Sequence, residues 1–312
     1  METLAVVLEA PERLAFRRLA LVPVQPGDVV VDIDFSGISS GTERLLWSGN
    51  MPPFPGMAYP LVPGYESIGR IVAAGTECEA RVGERVFVPG STCFIDAKGL
   101  FGGTAQRLIV PSARAIPVPD SLAEKGILIA LASTAYHAIA QGAQVPDLIV
   151  GHGVLGRLLA RIVIALGKAA PTVWETNPSR RGGAEGYAIT NANDDDCRAY
   201  KVICDASGAP DLLDTLIGRL SKSGEIVLAG FYTAPLSFTF PPAFMREARF
   251  RIAAEWSPSD LIATRALIES GALSLDGLIT HRRPAERASD AYPTAFGDAA
   301  CLKMVLDWKD CS

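Results

Sequence analysis

Three glycines, Gly151, Gly153 and Gly156, stand in "LIVGHGVLGRLLARIVIALG", directly after a short apolar run and at the mouth of a longer one. If the first run is a strand and the second a helix, each glycine has its own use. The first permits a tight turn, the second lets backbone approach a pyrophosphate, and the third lets the helix pack on the strand. The helix start at Val154 and Leu155 would then offer unpaired N–H groups and a partial positive charge to phosphates. About twenty residues further on, "TVWETN" ends another apolar run at Glu175, at the distance where an acidic side chain meets the ribose hydroxyls of a dinucleotide. That carboxylate would repel a 2′-phosphate, which favours NAD as cofactor over NADP. Arg180, a candidate cofactor contact, and Arg181 lie close by and pull the other way. His152, inside the glycine turn, is expected to face solvent. His137, in "STAYHAI", is expected to be a hydrogen-bonded histidine in a helix.

The elements that would position these residues follow from composition and pattern. A chain of 312 residues has room for two domains, each with its own core. With 49% hydrophobic and 20% charged residues it is a compact protein rather than a disordered one. A net charge of -5, with no stripe of Lys and Arg, argues against nucleic acid as a partner. The short cluster "HRRPAER" is expected to be a solvated turn. No apolar run approaches the roughly 18 residues of a membrane span. The start lacks a basic region before an apolar core, so a cytoplasmic location is expected. Six cysteines include no C-x-x-C pair, which removes the usual zinc-ribbon reading and leaves buried thiols for most of them.

Short runs rich in Val and Ile, among them "LAVVLEA", "DVVVDIDFSGISSG", "SIGRIVAAG" and "AQRLIVP", predict a strand-rich, barrel-like domain over residues 1–118. Ser121 to Ala140 reads as one or two helices. From "PDLIVGHG" to "EIVLAGFY", strands and helices alternate as in β-α-β units, which predicts a doubly wound parallel sheet over residues 119–279. The fold class is therefore α/β plus β. The last segment, 280–312, with the strand "CLKMVLDW", is expected to return to the first domain.

The order of these domains, with "SGISSGTE" followed by "VPGYESIGRIVAAG", resembles the medium-chain dehydrogenases, the zinc alcohol dehydrogenase superfamily. That resemblance covers nearly the whole chain. It implies a GroES-like catalytic domain, a Rossmann domain, cofactor bound between them, and a possible homodimer. A closer resemblance, carried by "SGISSGTERLLWSGNMPPFPGMAYPLVPGYESIGRIVAAG", "IVGHGVLGRLLAR" and "VWETNPSRR", is to the NAD-linked dehydrogenases of bacteriochlorophyll synthesis. They oxidise the 3-(1-hydroxyethyl) group of a bacteriochlorophyllide to acetyl, so a tetrapyrrole substrate is implied.

Lining up the motifs puts Ser39, Tyr65 and Ala130 at the three zinc-ligand positions of the superfamily and Thr134 at the nicotinamide contact. A neutral hydroxyl, a phenol and an alanine do not make a zinc site, which wants thiolate, imidazole or carboxylate. The four-cysteine lobe is also missing, because "VPGSTCFIDAKG" holds only Cys93. The expectation is a site with no metal, in which Tyr65 or Ser39 contacts the carbinol oxygen and passes its proton through Thr42 or Glu43. Glu66 either orients that site or sits in an ion pair. For a flat apolar macrocycle, Trp47, Met51, Phe54, Met57 and Tyr59 form one candidate wall on an irregular Pro-rich segment, and Phe231, Phe244 and Met245 a second. Two rival readings remain open at this point: a metal-free quinone or enoyl reductase using NADPH, and a dinucleotide-binding protein without catalysis.

Overall fold

The strand Asp28–Ile38 is the spine of the first half of the molecule, and its run of β-branched residues is buried on both faces. The computed structural model describes every residue except Phe54 and Ser312. By its contacts the chain divides into two units, Met1–Ala130 with Leu278–Ser312, and Leu131–Gly277.

In the first unit, Asp28–Ile38 pairs antiparallel with Ser67–Ala74 on one edge, and with Arg107–Pro111 and Met304–Asp307 along the other. These belong to a seven-stranded sheet that runs from His281–Pro284 to Ile116–Pro117. A four-stranded sheet orders Arg13–Ala20, Glu2–Ala10, Leu61–Val62 and Lys98–Gly99. Val6, Val29, Val31, Ile71, Leu108, Tyr292, Met304 and Trp308 share one core. Burying side chains of this size stabilises the unit by roughly 1.5–3 kcal/mol each. "CLKMVLDW" thus joins the first unit by pairing with residues 35–38.

Two local expectations are corrected, and one helix was missed. "HRRPAER" is not a free turn: His281–Pro284 is an edge strand parallel to Met304–Asp307, followed by a 3-10 turn. The segment expected to be irregular begins with a helix, Thr42–Ser48, closed by Gly49 at φ 71°, so Trp47 stands on regular structure. Helix Ala288–Gly297 went unnoticed because Pro293 lies inside it and masks its periodicity.

The second unit holds six strands in the order Ala188–Thr190, Thr172–Trp174, Leu148–Val150, Tyr200–Asp205, Leu220–Leu228 and Arg249–Ile252. Every pairing is parallel. Counted within the unit this is 3-2-1-4-5-6, the Rossmann order, whose strand order reverses between Leu148–Val150 and Tyr200–Asp205. Asp120–Leu128 is 3-10 and leads into helix Ile129–Ala140. Among the described residues, no helix is long and apolar enough to cross a membrane.

Candidate active site

The dinucleotide elements come first, because the sheet order places them. Gly151 follows strand Leu148–Val150 with φ +97°, and Gly153 caps helix Val154–Ala165. A Cβ on Gly156 would lie 1.9 Å from the Gly151 carbonyl oxygen, so only glycine lets the helix approach the turn this closely. A Cβ on Gly153 would meet nothing within 4 Å. That open space lies in front of a helix N-terminus with no side-chain cap, whose first intrahelical bond is Arg157 N–H to the Gly153 carbonyl. The N–H groups of Val154, Leu155 and Gly156 precede that bond, a geometry that fits a pyrophosphate.

Glu175 directly follows strand Thr172–Trp174 and is buried, with its carboxylate accepting from the N–H of His152 at 3.0 Å and of Asn177 at 2.7 Å. Each carboxylate oxygen retains a lone pair for a ribose hydroxyl. Arg181 Nε donates to the Glu175 carbonyl at 3.0 Å, while Arg180 is half-buried in the same loop. Thr134 is half-buried in helix Ile129–Ala140.

His152 does not face solvent. It is fully buried, with Nδ1 2.6 Å from the Arg180 carbonyl and Nε2 2.7 Å from the Tyr187 hydroxyl. Burial lowers its pKa, partly opposed by its bond to the Arg180 carbonyl. His137 bonds Asp260 Oδ2 through Nδ1 at 2.7 Å.

In the first unit the hydroxyls of Ser39 and Tyr65, 26 residues apart in sequence, lie 2.7 Å from each other. Ser39 follows strand Asp28–Ile38 and Tyr65 precedes Ser67–Ala74, so the antiparallel pairing of these strands brings them together. The Tyr65 ring packs edge-on against Phe101, with centroids 5.2 Å apart. Burial, and then the charge of Glu66, raise the Tyr65 pKa above the usual phenol value, while hydrogen bonding with Ser39 and Thr42 pulls it back. Tyr65 therefore stays protonated through the neutral range.

The two acidic residues have separate places. Glu43 is fully buried, accepting from the Ser39 backbone N–H at 2.9 Å and the Tyr292 hydroxyl at 2.7 Å. Its carboxylate reaches the Ser39 backbone, not the Ser39 hydroxyl. Burial outweighs these bonds and pushes its pKa up to about 7. Glu66 is also fully buried and receives Lys303 Nζ on both oxygens, at 2.8 and 2.7 Å. Lys303 donates as well to the Ile38 carbonyl at 3.2 Å. Sequence reasoning missed Lys303 and Tyr292. A lysine inside the apolar strand "CLKMVLDW" was the available signal, since a buried ammonium needs an anionic partner.

Ser39, Tyr65 and Ala130 offer two neutral hydroxyls and a methyl group. Among the described residues no three His, Cys, Asp or Glu side chains cluster as metal ligands.

Trp47, Met51, Met57 and Tyr59 gather around Leu8, Leu46, Leu61 and Leu100. Met51 is buried there, and Tyr59 donates to the Leu46 carbonyl at 2.5 Å. Trp47 lies against Tyr292, with ring centroids 6.1 Å apart. Of these four, Tyr59 also lines a cavity of about 570 Å³ with Pro55, Phe94, Ile95 and Leu100. Phe54 falls outside the described residues. Phe231, Phe244 and Met245 belong to the second unit and are exposed, the last two beside a groove of about 550 Å³ with Phe238 and Phe250.

Residues 25–120 match the family model described as the alcohol dehydrogenase GroES-like domain. The chain is 58% identical to the 2-desacetyl-2-hydroxyethyl bacteriochlorophyllide A dehydrogenase of Rhodobacter capsulatus, covering 99% of each chain. It is 58% identical to the protein of the same name from Cereibacter sphaeroides, again over 99% of each. In structure it is similar to an alcohol dehydrogenase from Escherichia coli CFT073 crystallised with NADH, with a TM-score of 0.84 and 22% identity, covering 98% of this chain and 99% of that one.

Proposed function

The chain belongs to the 2-desacetyl-2-hydroxyethyl bacteriochlorophyllide A dehydrogenase family, and from that premise we propose that it oxidises the hydroxyethyl group of a bacteriochlorophyllide to acetyl with NAD, without catalytic zinc. The observation that carries the chemical part is the 2.7 Å contact between the Ser39 and Tyr65 hydroxyls, at positions where the family resemblance implies zinc ligands. A zinc ion asks for anionic or imidazole donors, and burial opposes deprotonation of Tyr65.

The second unit supplies the cofactor site. Gly151, Gly153 and Gly156, with the N–H groups of Val154 and Leu155, suit the pyrophosphate. Glu175 suits an unphosphorylated ribose, which supports NAD over NADP. When bound, the nicotinamide supplies the hydride acceptor.

The first unit manages the proton. A protonated Tyr65 cannot act as the base itself, but a hydroxyl pair can accept one proton while releasing another. The carbinol proton passes to Tyr65 or Ser39 as that hydroxyl gives up its own, and the relay runs on through half-buried Thr42, whose hydrogen bonding lowers the Tyr65 pKa, to release a proton to solvent. Both carboxylate oxygens of Glu43 are engaged by Ser39 N–H and Tyr292, so Glu43 positions the Ser39 turn. Glu66, clamped by Lys303, holds the backbone behind Tyr65. A carbinol attached to a conjugated macrocycle spreads the positive charge that develops as hydride leaves, which lowers the need for a Lewis acid. Trp47, Met57 and Tyr59, which share a cluster with Met51, are the proposed apolar contacts for that macrocycle.

Tyr65→Phe tests the relay. Single-turnover NADH formation should fall by about 10²-fold, the scale of one proton-transfer group. An unchanged rate removes Tyr65 from the reaction.

A further inference from the structure

We propose that His152 and Arg157 are positioning residues that lock the loop 180–183 beside Glu175, and that this lock keeps the ribose site selective for a dinucleotide lacking a 2′-phosphate. The selectivity part rests on the NAD reading above; the lock does not.

The network is built on backbone carbonyls. Nδ1 of His152 faces the Arg180 carbonyl oxygen, which can only accept, so Nδ1 carries the proton. In the neutral ring Nε2 then has a lone pair for the Tyr187 hydroxyl. One imidazole thus ties the glycine turn to both ends of the segment 180–187, while the N–H of His152 fixes a Glu175 oxygen.

Arg157, one turn into the helix, completes the tie. The residue is 6% exposed, and its guanidinium donates to four carbonyls rather than to a carboxylate: His152 at 3.2 Å, Arg180 at 3.2 Å, Gly182 at 2.8 Å and Gly183 at 3.2 Å. Gly183 has φ +76°, and a Cβ there would lie 2.5 Å from Arg157 Nη1, so the loop is shaped around this side chain. A buried cation spent on loop carbonyls has no role in contacting ligand from that position. It sets where the loop runs.

The loop matters because it carries two cations close to Glu175. Arg181 is held by the Glu175 carbonyl, and the Arg180 backbone by both His152 and Arg157. Freed from these bonds, the loop could turn its guanidinium groups toward a 2′-phosphate, where arginine binds well. Holding it still leaves Glu175 to decide, and a carboxylate repels that phosphate.

The full-length protein is compared with His152→Ala, His152→Asn and Tyr187→Phe in two assays. The first is trypsin cleavage after Arg180 or Arg181 without cofactor. The second is fluorescence titration with NADH and with NADPH. Asparagine retains an N–H near the Nδ1 position, so it should rescue. For His152→Ala, cleavage should speed up about tenfold, and the ratio of NADPH to NADH dissociation constants should shrink about tenfold, the upper end of what one neutral hydrogen bond is worth. His152→Asn should remain within about threefold of the parent in both. If His152→Ala does not fold, Tyr187→Phe, which removes only the outer bond, should show both effects at smaller size. Unchanged cleavage in these variants overturns the lock. Faster cleavage with an unchanged ratio overturns the selectivity role. A parent protein that prefers NADPH would instead sink the NAD reading, while cleavage would still decide the lock.

Discussion

Replacing Lys303 by Met should destabilise the first unit by about 3–5 kcal/mol, the cost of stranding one member of a buried ion pair. The structure gives the reason. Glu66 and Lys303 are 0% and 2% exposed, and the ammonium spans both carboxylate oxygens. On its other side the carboxylate is packed tightly, since a Cβ on neighbouring Gly37 would lie 2.1 Å from Glu66 Oε2. Burial raises the Glu66 pKa, and Lys303 is the group that pulls it back. Without the lysine the carboxyl must either stay charged in an apolar setting or take up a proton. Urea unfolding followed by tryptophan fluorescence measures the loss, since Trp308 lies in the same core. The double variant Glu66→Gln with Lys303→Met should recover more than half of it, because no charge is then left unpaired. A loss below about 1 kcal/mol for Lys303→Met, or no recovery in the double variant, would refute the view of Glu66 as an anchor behind Tyr65.

Other outcomes follow from the same geometry. Glu43 has its pKa raised from 4.5 to about 7, so the folded chain holds that proton more tightly than the unfolded chain. Glu43 therefore imposes no such penalty below pH 4.5 and a growing one as pH climbs to about 7, reaching about 3 kcal/mol. Glu43→Gln should flatten that part of a stability–pH curve, and an unchanged slope in urea midpoints would contradict it. Gly153→Ala should fold normally, since its Cβ meets nothing, yet weaken NADH binding at least about tenfold by filling the phosphate approach. Gly156→Ala should disturb the helix itself, because 1.9 Å from a carbonyl leaves no room, and should lower the melting temperature as well as binding.

How far the sequence could be read depended on how local each feature was. Gly151, Gly153 and Gly156 act within six residues of one another, between a strand and a helix that each announce themselves by pattern, so the turn was legible. Ser39 and Tyr65 come together only through strand pairing, and it was the family resemblance, not spacing, that linked them. Lys303 and Glu66 are 237 residues apart, and Tyr292 and Glu43 are 249 apart, distances at which no periodicity helps. His152 was misplaced because a histidine in a glycine turn has no local reason to be buried. Arg157, Tyr187 and the carbonyls of residues 180–183 enclose it. Trp47 was assigned to irregular chain because the prolines after it obscured a helix of seven residues.

Hydroxyl groups and a bound nicotinamide are proposed to be enough for the oxidation. Pure protein, treated with a strong chelator, is mixed with NAD and hydroxyethyl bacteriochlorophyllide, and the acetyl pigment and NADH are followed together by absorbance. One NADH should form per acetyl group, at the same rate with and without chelator. Loss of turnover on chelation, restored by added zinc, would contradict it.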